Sequence, residues 1–295
     1  VRYMGPHNGD SDAGNNMKKI LLATTALAMS ASFAAADLSM SGRAGAGAIG
    51  GATDGVWSGI DINISASVET DGGLSISVSD DIGGGQLADY ADKELDAQGS
   101  DLGTPAVALS YRGATLTIDD QAIDDLYDDS QNGDIGLSAN IGGASVGLTM
   151  DTDAADGEPT NSYSVGYTVS GISLSIKGTD ANDDGDAAMK WSASYGMGDL
   201  TLGIEVDNKG AGADVTKGSV SYAVGGGLSV SLSADDNDDW NASATYSAGG
   251  LSVTYATDEE SAWEADVSMD LGGGVSINAA ADANDTTILG VNFTF

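Results

Sequence analysis

From residue 38 to the last residue the dominant pattern along the chain is alternation of apolar and small polar side chains, in segments of about 7 to 11 residues. Leu228, Val230 and Leu232 alternate with Ser229, Ser231 and Ser233, and Leu200, Leu202, Ile204 and Val206 alternate with Thr201, Gly203, Glu205 and Asp207. Trp240, Ala242, Ala244 and Tyr246 alternate with Asn241, Ser243, Thr245 and Ser247 in the same way. A period of two puts successive side chains on opposite faces of a strand, so each segment has one apolar and one polar face. No 3.6-residue stripe competes with it. The pattern predicts an all-β chain, and segments of this length suit tilted strands crossing a bilayer.

A soluble β-sandwich also alternates, and the connections discriminate. Tight turns such as Arg112-Gly113, Gly142-Gly143, Ser170-Gly171 and Gly249-Gly250 take turns with long acidic stretches at 80–104, 119–133, 151–160 and 180–186. Short turns on one side and long loops on the other are the asymmetry of outer-membrane barrels, with the short turns periplasmic. Eight short turns join sixteen strands, and a first strand (38–48) and a last (286–295) raise the number to eighteen. The expectation is a transmembrane antiparallel β-barrel of 16 to 18 strands. Aromatic side chains support it: Tyr111, Tyr195, Tyr222 and Tyr246 precede short turns on the apolar face, and Trp57, Trp240, Trp263, Tyr163 and Tyr255 sit beside the long loops. Two such belts mark the two membrane interfaces.

The first residues are of a different kind. Met17-Lys18-Lys19, an apolar run over 20–29 and Ala34-Ala35-Ala36 form a secretory signal peptide at 17–36, with cleavage expected after Ala36. Residues 1–16 read as an upstream extension, and 37–295 as the barrel domain. Removing 1–36 takes away Arg2, Lys18, Lys19, Asp10 and Asp12, which leaves 7 basic and 43 acidic residues of the original 10 and 45. So acidic a chain is unsuited to nucleic acid, whose binding rests on Lys and Arg. The single histidine, His7, is also lost, and there is no cysteine. A Ser-His or Cys-His relay is thereby excluded, and the commonest zinc ligands are missing, so no enzyme is expected.

Parity assigns charged residues to the lumen. A barrel of sixteen to eighteen strands encloses water, and among inward positions acid outnumbers base, which favours cations. The expected constriction sets the acidic loop residues Asp119, Asp120, Asp124, Asp125, Asp128 and Asp129 against Arg43, Lys177 and Lys190. Asp180, Asn182, Asp184 and Asp186, with Gly185 between, match the first half of a Ca²⁺-binding loop, although Trp191 stands where a bidentate glutamate is needed. No cofactor is required, and Ca²⁺ in external loops is the one metal this pattern offers, with a bridge to lipopolysaccharide as its use.

The start Asp37-Leu38-Ser39-Met40-Ser41-Gly42-Arg43, the hairpin over 107–118, and the end from Asp270 through Gly290-Val291-Asn292-Phe293-Thr294-Phe295 resemble the trimeric general porins of purple non-sulfur and related α-proteobacteria. The resemblance implies a sixteen-stranded barrel, a homotrimer in outer-membrane lipid, a third external loop folded into the lumen, and a terminal phenylalanine read by the barrel-assembly machinery. The third loop, 119–133, is shorter than that family usually carries, so either the eyelet is wide or the second loop, 80–104, contributes to it. Passive diffusion of small hydrophilic solutes and ions is the function implied. A substrate-specific channel and a secreted acidic Ca²⁺-binding β-protein are the alternatives: the first would want aromatics lining the lumen, the second a repeated glycine-aspartate nonapeptide that this sequence lacks.

Overall fold

A computed structural model describes residues 37–51, 54–128, 131–152, 160–180, 187–210 and 213–295. The upstream extension and the signal segment lie outside the described residues. The strands are β1 (Asp37–Gly50), β2 (Gly55–Glu69), β3 (Ser75–Asp89), β4 (Glu94–Ala97), β5 (Ala106–Tyr111), β6 (Ala114–Asp124), β7 (Asn132–Ile141), β8 (Ala144–Asp151), β9 (Thr160–Val169) and β10 (Ile172–Thr179). They continue as β11 (Ala188–Met197), β12 (Leu200–Asn208), β13 (Val215–Gly225), β14 (Leu228–Asp235), β15 (Trp240–Ala248), β16 (Leu251–Asp258), β17 (Trp263–Gly272), β18 (Val275–Asp282) and β19 (Thr287–Thr294).

All pairings are antiparallel between chain neighbours, except that β3 skips to β5 and β1 pairs β19 from Arg43↔Thr294 to Gly50↔Thr287. That last pairing closes the sheet. It continues through Phe295, whose N–H donates to Gly42 O (3.0 Å) while Gly42 N–H donates to Phe295 O (2.9 Å). A closed sheet leaves no edge, the condition for crossing a bilayer with strands. β4 pairs only with the end of β3, so eighteen strands build the wall, not the sixteen implied by the resemblance. The extra pair follows from the turn count in the sequence, since each short glycine turn closes one hairpin.

Register carries the sequence alternation round the wall. Leu228↔Tyr246, Val230↔Ala244 and Leu232↔Ala242 share the outer face, and Ser229↔Thr245, Ser231↔Ser243 and Ser233↔Asn241 share the inner one. Ser231 and Ser243 hydroxyls lie 2.7 Å apart, and those of Thr245 and Thr254 3.1 Å apart. Cross-strand hydroxyl pairs of this kind hold register without a hydrophobic interior. The outer face exposes the large apolar side chains to the medium, as a lipid-facing surface must.

Trp57 is a correction. The sequence reading puts it in the external aromatic belt, but it is 4 % exposed and points into the barrel. It shares the inner face of β2 with Asp61, four residues on, and stands opposite Gly47. With Leu87 and Ile288 it forms a small apolar core inside the lumen, flanked by Ile49, Ala88, Tyr90 and Leu95. Tyr111, Tyr163, Tyr195, Tyr222, Trp240, Tyr246, Tyr255 and Trp263 do face outward.

Candidate pore constriction

Two external loops fold back into the barrel, and the second reaches as deep as Asn292 on β19.

The second loop begins where β3 leaves the wall. Its pairing with β5 ends at Ser79, and at Gly85 the backbone takes φ 76°, a left-handed value that glycine adopts without strain. Beyond it, Gln86 to Asp89 pair with Glu94 to Ala97 as a hairpin. This hairpin lies over the inner face: a Cβ at Gly59 would meet the Gln86 carbonyl oxygen at 2.5 Å, so glycine is what permits the approach. Leu87 then packs on Trp57 and Ile288, and the Tyr90 hydroxyl accepts from Asn292 Nδ2 at 3.3 Å on β19. Burial holds the Tyr90 hydroxyl above its usual pKa, the Asn292 bond acting the other way. Lys93 reaches β17, with its ammonium 2.6 Å from Glu264 Oε2 and 3.8 Å from Asp266 Oδ1. From β3 to β17 the loop thus spans β2, β1, β19 and β18. A cavity of about 370 Å³ remains above its tip, lined among others by Asp92, Asn241, Asp258, Asp282 and Asn284.

The third loop covers a different sector. Asp125 Oδ1 accepts from the N–H groups of Tyr127 (2.7 Å) and Asp128 (2.9 Å), a carboxylate turn that sets the direction of the segment. Leu126 N–H donates to the fully buried Ser162 hydroxyl on β9 (2.9 Å). The Tyr127 hydroxyl donates to Asp207 Oδ1 on β12 at 2.7 Å, and its ring lies 5.5 Å from the Lys190 ammonium. Lys190 is also 3.5 Å from Asp207 Oδ2. Desolvation, reinforced by the bond to Asp207 and by the charges of Asp207 and Asp128, drives the Tyr127 hydroxyl well above the usual tyrosine range.

The residues singled out from the sequence fall as follows. Arg43 stands on the inner face of β1, paired with Asp61 on β2 at 3.3 Å. Lys177 and Lys190 are direct cross-strand partners on β10 and β11. Asp119 lies on the inner face of β6 and Asp120 is exposed next to a bulge at Gln121 (φ 53°). The Asp124 carbonyl accepts from the Thr149 hydroxyl at 3.2 Å, and the Asp128 carbonyl accepts from Gln131 N–H, also at 3.2 Å. Asp129 lies outside the described residues. So do Asn182, Asp184 and Asp186; Asp180 accepts two hydrogen bonds from Asn161, both at 2.7 Å.

The sequence reading missed Trp57, Lys93, Glu264 as its partner, Tyr127 and Asp207. Parity alone finds Trp57, because it is an even step from the inward Asp61. Lys217, on β13 opposite Glu205 and Asp235, is a further inward cation found the same way. Nothing local marks Lys93.

A family model described as Gram-negative porin matches residues 23–292. Among solved structures, a substituted variant of the Rhodopseudomonas blastica porin superposes with a TM-score of 0.53 at 17 % identity, over 88 % of this chain and 100 % of that one. Another variant of the same porin gives 0.54 at 16 % identity over the same shares. At such identity the likeness speaks for the fold. No curated protein matches by sequence.

Proposed function

Because this chain belongs to the Gram-negative porin family and is an outer-membrane porin, a passive channel and not an enzyme, we propose that its pore is cation-preferring and weakly selective for small hydrophilic solutes. The supporting observation is how the inward bases are used. Arg43, Lys93 and Lys190 each have a carboxylate within 4 Å, on Asp61, Glu264 and Asp207. Each is thus matched by an acid, while Asp119, Glu205 and Asp270 add carboxylates to the same wall. Acid therefore prevails along the path, and carboxylates lining a pore attract cations.

The constriction in this reading has acid from both loops, Asp119, Asp124, Asp125 and Asp128 on the third with the exposed Asp92 and Glu94 on the second. Base comes from Lys177 and Lys190 on the far wall, while Arg43 on β1 lies in the sector of the second loop, paired with Asp61. Lys177, Lys190 and Lys217 lie on β10, β11 and β13, and half a turn round eighteen strands from them is the sector β19 to β3 under the second loop. A transverse field of this form orders water and disfavours apolar solutes. In a salt gradient across a planar bilayer the reversal potential should show cation preference, and anion preference would refute it. Lys217→Glu should sharpen it: at 10 Å in water one charge is worth about 0.4 kcal/mol, and the substitution changes the wall by two charges, roughly fourfold in ion partitioning before screening.

The outer face is uneven in a way that favours the homotrimer. The aromatic side chains of the external belt, Tyr163, Trp191, Trp240, Tyr255 and Trp263, lie between β9 and β17. From β18 round to β8 the described strands carry no outward aromatic at their external ends, Trp57 on β2 facing inward, and β1 presents Ala44, Ala46 and Ala48. In that sector Asp80 stands opposite Ile64 and so faces outward, with Oδ1 accepting from the N–H groups of Asp81 (2.9 Å) and Gly103 (3.3 Å). It is five residues up β3, about 12 Å above the periplasmic strand ends at the usual rise and tilt. A carboxylate at that height is costly against lipid, and a neighbouring copy covering this sector relieves it. Native mass spectrometry from detergent should give three chains per particle; one chain would refute the reading.

A further inference from the structure

Lys93 is anomalous for its place. It sits at φ 57° in the turn between β3 and β4, on a loop otherwise carrying Asp89, Asp92, Glu94 and Asp96, yet its side chain is 5 % exposed. Lysine is buried this deeply almost never unless paired. Its ammonium has three oxygen partners: Glu264 Oε2 at 2.6 Å, Asp266 Oδ1 at 3.8 Å and the carbonyl of Ala91 at 2.7 Å. Two of these belong to a strand 171 residues away in the chain. The carboxylates have different surroundings. Glu264 is half exposed, whereas Asp266 Oδ1 is buried with Lys93 as the charge facing it.

The rest of the hairpin is held on β2 and β19. Leu87 packs on Trp57 and Ile288, and Tyr90 meets Asn292 on β19. Between β19 and β17 the span of the tip has no other ion pair to the wall among the described residues. The hairpin is not part of the wall, because β4 pairs with β3 alone. Its position over the lumen is therefore a tertiary matter: Leu87 and Tyr90 hold it on β2 and β19, and its reach to β17 depends on Lys93.

We propose that Lys93 is a positioning residue for permeation: by pairing with Glu264 it pins the second external loop across the upper lumen, so that this loop sets the width of the path on the β17–β2 side and with it the size limit for neutral hydrophilic solutes. The proposal rests on the porin reading. It assigns the size limit to two in-folded loops docked on opposite sectors, with the path between them.

The test uses the full-length protein in planar bilayers and in liposomes. Lys93→Ala and Lys93→Glu should each raise single-channel conductance, and a trisaccharide should enter liposomes roughly twofold faster or more as the path widens. The double variant Lys93→Glu with Glu264→Lys restores the pair with charges exchanged, and should return both quantities towards those of the unsubstituted protein. That recovery is what a merely structural lysine would not give. Should the lysine variants fail to assemble, Glu264→Gln is read in their place and should move both quantities in the same direction. Unchanged conductance and trisaccharide entry in Lys93→Ala, or an exchanged pair that behaves like Lys93→Glu alone, overturns the proposal. An unsubstituted protein that forms no channel overturns the porin reading instead.

Discussion

Gly290→Val should release the second loop from the wall, lowering the melting temperature and raising conductance. On strand propensity alone the opposite is expected, because valine suits a strand better than glycine by as much as about 1 kcal/mol. Position 290 reverses the sign. It faces inward on β19 opposite Gly47, and a Cβ there would run into the Trp57 ring and come within 2.5 Å of the Tyr90 hydroxyl. The obstacle is a buried indole backed by Leu87 and Ile288, not the free end of a flexible side chain. Overpacking of this kind typically costs about 1–3 kcal/mol, and here it is relieved by displacing the loop from the wall. Gly218→Val, on the outer face of β13, is a control for the change of residue type, since nothing lies within 4 Å of a Cβ there. It should be neutral or mildly stabilising with unchanged conductance. Circular-dichroism melting and bilayer recording of the pair decide it: equal behaviour at the two positions would show that the Trp57 contact does not constrain the loop.

Tyr127 should show a graded effect on the other side of the pore. Tyr127→Phe keeps the ring against Lys190 but removes the hydroxyl that donates to Asp207, a bond to a charged group worth about 1.5–3 kcal/mol. Tyr127→Ala also removes the cation–π contact, worth about another 0.5–1 kcal/mol at a partly exposed site. Conductance should therefore rise from tyrosine to phenylalanine to alanine. The effect of pH has a definite sign. The hydroxyl has a folded-state pKa raised above its unfolded value by desolvation first and by Asp207 and Asp128 next. Its stabilising contribution is complete below the ordinary tyrosine pKa of about 10 and is lost as pH rises through the raised value. Current should be steady across neutral pH and increase in alkali, and the alkaline increase should be absent in Tyr127→Phe. Its persistence there would assign the change to another group.

Much of the fold is legible in the sequence because a barrel wall is built from local rules. Alternation fixes which face each residue takes, and a glycine turn such as Gly142-Gly143 joins neighbours in the chain that are also neighbours in the sheet. The eighteen-strand count comes from the turns, and it departs from the family expectation because the hairpins are there to be counted. Trp57 shows the limit of reading by category. Proximity to a long loop suggests an interface aromatic, whereas parity, the stronger rule, places it inside with Asp61.

The site is legible only in part. Arg43, Lys177, Lys190 and the acidic residues of the third loop are visible as inward or loop charges, but their partners are not. Arg43 with Asp61, and Lys190 with Asp207, follow once strand register is known, since each pair is directly opposed on adjacent strands. Lys93 with Glu264 and Tyr127 with Asp207 join residues 171 and 80 positions apart, on elements that are not neighbours in the sheet.

By itself, then, the sequence determined an all-β acidic chain whose strands put apolar side chains outward and hydroxyls inward, with short turns at one end and long loops at the other. Those properties depend on side-chain period and turn chemistry within a few residues. The tertiary structure decided what narrows the lumen. Which loop folds in, and how far, depends on glycines at 45, 47 and 290 leaving room for one indole, and on a lysine finding carboxylates on a strand that only closure of the barrel brings within reach. No pattern along the chain encodes that proximity, because it exists only after β1 has paired with β19.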